Sequence, residues 1–274
     1  MTSMSAGTSP GNGGVPHRPP VANRAALRAL SILDLLSRSD EPMTLGEVAT
    51  QLKLPKSSAL TLLRALVVTE FCAADEKGLY GLGLHSFEVG AAYLRSMTPV
   101  RSVVPELQWL TESLGVTSHF AVLDRDEVTY LAKHDPPGLG LKLASSLGAR
   151  LPAAVTAVGK AQLAVRAQGP RGGEANAVDG AAPARPKHGQ AVPSGFEREL
   201  EKVRMLGYAV DDGQTAVGIR GVAAPLVNDR GCCGAIGVSY LLGGEPSVTT
   251  VVKALVEAAG RASARLGGQG VPHP

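Results

Sequence analysis

The sequence predicts an α+β protein of two blocks, on three observations. From about Asn23 to Leu66 apolar residues recur at helical spacing. From Ser118 onward, strand-like runs come in pairs around short polar turns. Gly- and Pro-rich composition is confined to the two ends and one internal stretch. At 274 residues, 44% hydrophobic and 19% charged, the chain is long enough for one large domain or two ordinary ones. Aromatics are only 4%, so the cores must rest on Leu, Val and Ala.

Residues 1–22 hold four Gly and four Pro and few apolar residues. They cannot bury enough surface to offset ordering entropy, and a disordered tail is expected. A second such stretch, 167–195, has no Leu, Ile or Phe and reads as a flexible excursion inside a domain. Residues 267–274 read as a frayed tail. The N-terminus lacks the apolar stretch of a secretory signal, and no apolar run approaches the roughly 20 residues of a membrane span. Three cysteines, Cys72, Cys232 and Cys233, form neither a disulfide framework nor a CxxC site. A cytoplasmic protein is the expectation. The net charge of +3 does not by itself announce nucleic acid.

In the first block, 23–84, Ala26, Ala29, Leu30, Leu33 and Leu36 mark one apolar face of a first helix. Thr44 and Glu47 match a capping box, with Leu45, Val48, Ala49 and Leu52 facing inward behind it. "KLP" makes a turn, and Pro55 suits the first position of a third helix, where its missing N–H costs nothing. Ala59, Leu62, Leu63 and Leu66 form the buried face of that helix. Its other face carries Ser57, Thr61 and Arg64, with Lys56 and Ser58 near the start. Phe71–Ala74 and Leu79–Leu82 then read as two short strands around "DEKG".

Helix, helix, helix, hairpin is the winged helix-turn-helix order, in which the second helix of the motif enters the major groove and the wing touches the backbone beside it. The short or cationic side chains of the third helix suit phosphates and base edges. Candidate contacts with double-stranded DNA are Thr44, Lys56, Ser57, Ser58, Thr61 and Arg64, with Lys77 in the wing. The same pattern also fits a structural unit or a protein-binding one. Seven basic and seven acidic residues make the block neutral, so attraction to phosphate must come from where charges sit and from two copies meeting one site.

Residues 85–98 read as a linker helix. In the second block, 99–266, Ser118–Leu123 with Val128–Lys133, and the run 221–242 around "NDRG", read as strand pairs. Thr156–Arg166 and Phe196–Leu206 read as helices, and "SVTTVVKALVEAAGRASARL" as a long C-terminal one. An antiparallel sheet covered on one face is expected.

Five stretches, "LPKSSALTLLRAL", "YGLGLHSFEVGAAYL", "LGARLPAAVTAVGKAQLA", "GYAVDDGQTAVGIRGVAAP" and "GCCGAIGVSY", make the chain resemble the IclR family of bacterial transcription regulators from about Asn23 to the last helix. The resemblance implies a winged helix-turn-helix, a linker helix and an α/β effector-binding domain with a curved antiparallel sheet. It also implies a homodimer or dimer of dimers on operator DNA, responding to small metabolites that are often carboxylic or aromatic acids. Repressors and activators both occur. The chain departs from the family where Leu60-Thr61 replaces His-Arg in the recognition helix and Gly81 replaces the wing's arginine, so two cationic contacts are absent.

The implied effector pocket uses Thr156, Ala157 and Val158 at a helix start, where backbone N–H groups favour an anion. Its aspartate falls on Asp211 and a strand serine on Ser239. Ala154, Gly221 and Gly237 stand where histidine, cysteine and serine are usual. A larger, less polar cavity and a bulkier ligand than a two- or three-carbon acid are expected. Without the resemblance, Asp211 reads as a turn carboxylate, Thr156 as a helix cap, Ser239 as a strand residue, and the two glycines as aids to strand packing.

No enzyme motif appears. The six histidines show neither HExxH nor HxxxH spacing, Gly159-Lys160 lacks the rest of a phosphate loop, and there is no GxSxG elbow. No cofactor or metal is implied. Two readings compete: a ligand-controlled, sequence-specific DNA-binding regulator, and a small-molecule sensor whose winged block contacts protein.

Overall fold

The computed structural model describes residues 23–138, 145–166 and 195–268. The expectations for 1–22, 167–194 and 269–274 lie outside the described residues. The chain divides into two compact units, ending and beginning at Ala91 and Ala92.

The N-terminal unit opens with α1 (Arg24–Ser37), capped by the Asn23 side chain, which accepts from the Ala25 and Ala26 amides. Its buried face differs from the expected one. Ile32 and Leu36 are buried and Ala29, Leu33 and Leu35 pack against them, whereas Ala26 is exposed and Leu30 is 61% exposed. The physical register is Ala29, Ile32, Leu33, Leu36, the usual i, i+3, i+4, i+7 stripe centred on Ile32.

Helix α2 (Leu45–Gln51) starts at the capping box: the Thr44 hydroxyl accepts from the Glu47 amide at 3.2 Å while the Glu47 carboxylate accepts from the Thr44 amide at 2.7 Å. Helix α3 (Lys56–Val68) follows a turn in which Lys53 takes a positive φ of 52°. Pro55 sits one residue earlier than expected, as the N-cap, and its carbonyl accepts from the Ala59 amide. The wing is three-stranded: β1 (Met43–Thr44) and β2 (Cys72–Ala74) flank β3 (Leu79–Leu82). β1 is too short to show an alternation in sequence. Gly83 is required after β3, because a Cβ there would lie 2.1 Å from the Glu70 carbonyl oxygen.

Helix α4 (Leu84–Ser96) runs across the division between the units, and α5 (Thr98–Leu114) begins the second. α5 is an element the sequence reading missed. Pro105 stands in its interior, where it cannot donate to the ladder. Packing outweighs that loss, with Val103, Leu107 and Leu110 at 2% exposure or less.

The second unit is a six-stranded antiparallel sheet, ordered β6 (Arg150–Pro152), β5 (Glu127–His134), β4 (Thr117–Asp124), β9 (Gly231–Leu241), β8 (Ile219–Asn228), β7 (Ala209–Asp212). Two irregularities, at Phe120/Ala121 and Leu226/Val227, interrupt the register and bend their strands. Contrary to expectation, both faces are covered. On one, Phe120, Leu226, Ile236 and Val238 pack with α5 and α8 (Val248–Arg265). On the other, Ala121, Tyr130, Ala223 and Ala235 pack with α6 (Ala157–Arg166), which α7 (Phe196–Leu206) covers in turn. Strand alternation assigns these sets: on β9, Ile236 and Val238 face α5 and α8, while Ala235, Gly237 and Ser239 point to the α6 side.

α5 and α8 are tied by Glu106, which is 4% exposed and accepts from Arg261 and Arg265. Burial alone would raise its carboxyl pKa, but the two guanidinium groups outweigh burial and hold it below the usual range. Arg261 also stacks on Trp109, 4.3 Å from its ring centre.

Candidate DNA interface and effector pocket

In the N-terminal unit, Lys56, Ser57, Thr61 and Arg64 are all exposed on one side of α3, and Ser58 is half-buried. Thr61 donates its hydroxyl to the Ser57 carbonyl at 3.0 Å, leaving its lone pairs outward. Leu60 is half-buried. Lys77 is exposed at the wing tip, where Asp75 accepts from the Lys77 and Leu79 amides and pins the turn. The Thr44 hydroxyl is engaged with Glu47 in both directions, so at the start of α2 the cap comes first.

Placement answers the neutral charge count. Asp34 is paired with Arg38, Glu47 closes a cap, and Asp75 closes a turn. Among the described residues no carboxylate lies within ion-pair distance of Lys53, Lys56, Arg64 or Lys77. Among the described residues, unpaired cations lie on α3, on the turn before it, on the wing and, as Arg24 and Arg28, on α1, while Asp40, Glu41, Glu70 and Glu76 are unpaired acids.

In the second unit a cleft lies between the start of α6 and the sheet. Register explains its floor. Asp211, Gly221, Ser239 and Thr117 are successive partners across β7, β8, β9 and β4. The next row contains Gly237 opposite His119. The lining brings together Thr156, Ala157, Val158, Asp211, Gly221 and Ser239 as the sequence implied.

Thr156 is indeed a cap: its hydroxyl accepts from the Gly159 amide and its carbonyl from the Lys160 amide. The Ala157 and Val158 amides find no acceptor among the described residues. Both residues line the cleft, and unpartnered N–H groups at a helix start favour an anion. Asp211 is also a turn carboxylate: Oδ1 accepts from the Gln214 and Thr215 amides, leaving Oδ2 unengaged. Thr156 and Asp211 thus hold a cap and a turn, and both also line the cleft.

Gly237 does not line the cleft. A Cβ there would lie 2.5 Å from His119 Nε2 and 2.8 Å from Val158 Cγ1, so the space left by the missing side chain is filled. Gly221 is different: a Cβ would be 3.5 Å from Ala157 and Asp211, in ordinary contact. Only the second glycine enlarges the cavity. The lining also contains His119, Ser145 and Thr215. Ala154 is half-buried and is not part of the lining.

Sequence reasoning missed His119, Tyr130, Ser145, Thr215, Ala216 and Ile219. His119 and Tyr130 share a face with Ala121 and Ala235, a fact that follows from alternation only once the strand pairing is known. The His119 ring meets Tyr130 edge-on at 5.1 Å. Burial, reinforced by the charge of Lys133 and opposed by Asp135, holds the ring neutral with its pKa pushed down to about 3. His119 Nδ1 and the Ser145 hydroxyl, both buried, have no hydrogen-bond partner among the described residues. Each such orphan costs about 1–3 kcal/mol.

Lys160 is 1% exposed, and its ammonium donates to Glu199, the Val210 carbonyl and Gln214. It pins the loop after β7, whose Gln214 amide in turn holds Asp211. The adjacent thiols are inert by environment: burial pushes Cys232 up to about 11 and Cys233 up to about 12.

Residues 25–76 match the IclR helix-turn-helix domain, and residues 91–262 match the C-terminal domain of bacterial transcriptional regulator IclR. The chain belongs to the IclR family. Its relatives include the HTH-type transcriptional repressor AllR of Escherichia coli, 28% identical over 77% of this chain and 79% of that protein. Another is the transcriptional repressor IclR of the same species, 28% identical over 74% of each. Among solved structures, an IclR transcriptional regulator from Alicyclobacillus acidocaldarius covers 89% of this chain and 98% of its own at 27% identity, with a TM-score of 0.70. An IclR homolog from Microbacterium hydrocarbonoxydans complexed with 4-hydroxybenzoate shares the fold at 20% identity over 88% of this chain and 98% of its own, TM-score 0.71. The family member described here is thus a transcriptional regulator with a helix-turn-helix DNA-binding domain and a C-terminal effector domain, rather than an enzyme. Among the described residues no helix is long and apolar enough to cross a membrane.

Proposed function

We propose that this regulator responds to a small organic acid bound in the α6 cleft and that the ligand alters its affinity for an operator. The observation that carries the reading is the pair of unpartnered amides at Ala157 and Val158, facing the same cleft as the free oxygen of Asp211. An acid group suits the helix start, and a donor on the same ligand suits the aspartate. The related fold that holds 4-hydroxybenzoate supports a ligand of that size. Lys56, Ser57, Ser58, Thr61 and Arg64 read the operator, with Lys77 on its backbone and Thr44 serving chiefly as the α2 cap.

A homodimer or dimer of dimers presents two copies of the winged unit to one operator. Leu27, Leu30, Leu84 and Phe87 support this, since each is at least 51% exposed within the first unit. Selection from a random DNA pool should return two related half-sites at fixed spacing. By linkage, ligand and operator then change each other's affinity by one factor. Equal ligand affinity with and without operator would sink the regulatory reading.

A further inference from the structure

We infer that His119, together with Ser145, selects among acids by pairing with a second, uncharged polar group of the ligand, such as a hydroxyl, carbonyl or amide. The inference rests on the cleft being the effector site and adds the chemistry of the other end of the ligand.

Four observations carry it. His119 and Ser145 both line the cleft, at 4% and 5% exposure. His119 Nδ1 and the Ser145 hydroxyl are two of only three buried side-chain polar atoms without a partner among the described residues. Buried histidines and serines are ordinarily satisfied, so two orphans in one cleft point to a group supplied from outside. Finally, His119 is admitted by glycine at its register partner: any larger residue at 237 would strike Nε2 at the position of its Cβ.

The chemistry of the partner follows from the charge state. The ring is neutral, with one donor and one acceptor nitrogen, and serine likewise gives and accepts. Such a pair matches a hydroxyl or carbonyl and offers no counter-charge to a carboxylate. Among the described residues no lysine or arginine lines the cleft, and the α6 amides suit the acid group. The ligand is then a small acid with a second polar substituent, of hydroxy-, keto- or amido-acid type, in place of a plain apolar acid.

The test uses matched pairs of probes on the full-length protein: benzoate with 3- and 4-hydroxybenzoate, propionate with lactate and pyruvate, and acetate with glycolate. Calorimetric affinities are measured for wild type, His119→Leu, His119→Gln and Ser145→Ala, each first checked for a cooperative unfolding transition. In wild type at least one substituted acid should bind about tenfold or more tightly than its parent, because a site built around a polar group rejects the analogue lacking it. His119→Leu and Ser145→Ala should collapse that ratio to below about threefold, and His119→Gln should restore much of it. If His119→Leu does not fold, the Ser145→Ala and His119→Gln ratios decide.

No discrimination in any pair, binding of none of the probes, or equal loss for both members of a pair would each overturn the inference. A ligand-bound crystal structure in which ordered water satisfies both groups would do the same. Operator affinity is read separately. A ratio that collapses as expected with no effect of ligand on operator binding upholds the inference and overturns the regulatory reading, and the converse result does the opposite.

Discussion

The two units carry their sites in opposite ways. The candidate DNA-binding surface lies on one helix and one turn, close together in the chain and exposed. The candidate effector cleft draws on α6, five strands and two loops, from His119 to Ser239, and most of it is buried. A surface made from one amphipathic helix declares itself by its polar stripe. A buried site made across a sheet is hidden until the register is known, because each strand contributes one or two residues and looks like core. The contrast predicts that substitutions on the exposed face of α3 change binding without changing folding, and that substitutions at the close-packed positions of the cleft change both.

Gly237→Ala gives the largest effect and the sharpest test. The added methyl meets His119 and Val158 at less than 3 Å, and loss of about 2–3 kcal/mol in denaturant unfolding is expected. Gly221→Ala, one strand away, meets nothing closer than 3.5 Å and should change stability by less than about 0.5 kcal/mol while narrowing the cleft. Equal effects at the two glycines would break the claim that His119 occupies the space at one of them.

Arg64→Ala and Lys56→Ala should each weaken operator binding, by about 1–3 kcal/mol where a base is contacted, and a lost phosphate contact should lower the salt slope by about one. Thermal unfolding of both variants should match wild type, since both side chains are exposed. A parallel loss of stability would erase the contrast between the units.

Acid should act on the second unit through His119. Burial first, then the charge of Lys133, holds the folded ring's pKa near 3 against the Asp135 carboxylate, while the unfolded ring titrates near 6.5. Below pH 6.5 the unfolded chain takes the proton and the folded chain does not. Stability present above that pH is lost as pH falls, by about 1.4 kcal/mol per unit. Denaturation midpoints of wild type and His119→Gln should converge between pH 7 and 4.5; parallel lines would show that the ring is not held neutral. Glu106, held low by Arg261 and Arg265, adds to the loss only once pH falls below about 4.5, the usual carboxylate value from which it departs.

Thr44→Ala removes the acceptor for the Glu47 amide and should cost the first unit about 1 kcal/mol. If operator affinity falls further than the lost helix order explains, Thr44 contacts DNA as well as capping α2.

Local chemistry was legible wherever it is repeated along the chain. The Thr44–Glu47 capping box, the wing turn closed by Asp75, the bounds of α7 and both long hairpins follow from cap, turn and alternation rules that act within a few residues. The resemblance carried by five motifs supplied Asp211 and Ser239, which no spacing rule would have picked out. The α1 register was misread because alanines and leucines on that helix offer two overlapping stripes, and only packing against α3 and the wing selects the one through Ile32. α5 was missed because its interior proline opposes a helix locally, and burial of Val103, Leu107 and Leu110 outweighs it.

By itself, then, the sequence determined the capped start of α2, the exposed polar face of α3, the order of most other elements, and the family to which the chain belongs. Only the tertiary structure decided that both faces of the sheet are covered, that Gly237 makes room for a ring instead of a ligand, and that His119 and Ser145 share the cleft with Asp211. The physical reason is range. Caps, turns and helical stripes are set by neighbours a few residues away, whereas the cleft depends on strand register and on which side chain fills a gap, and both involve residues more than a hundred positions apart.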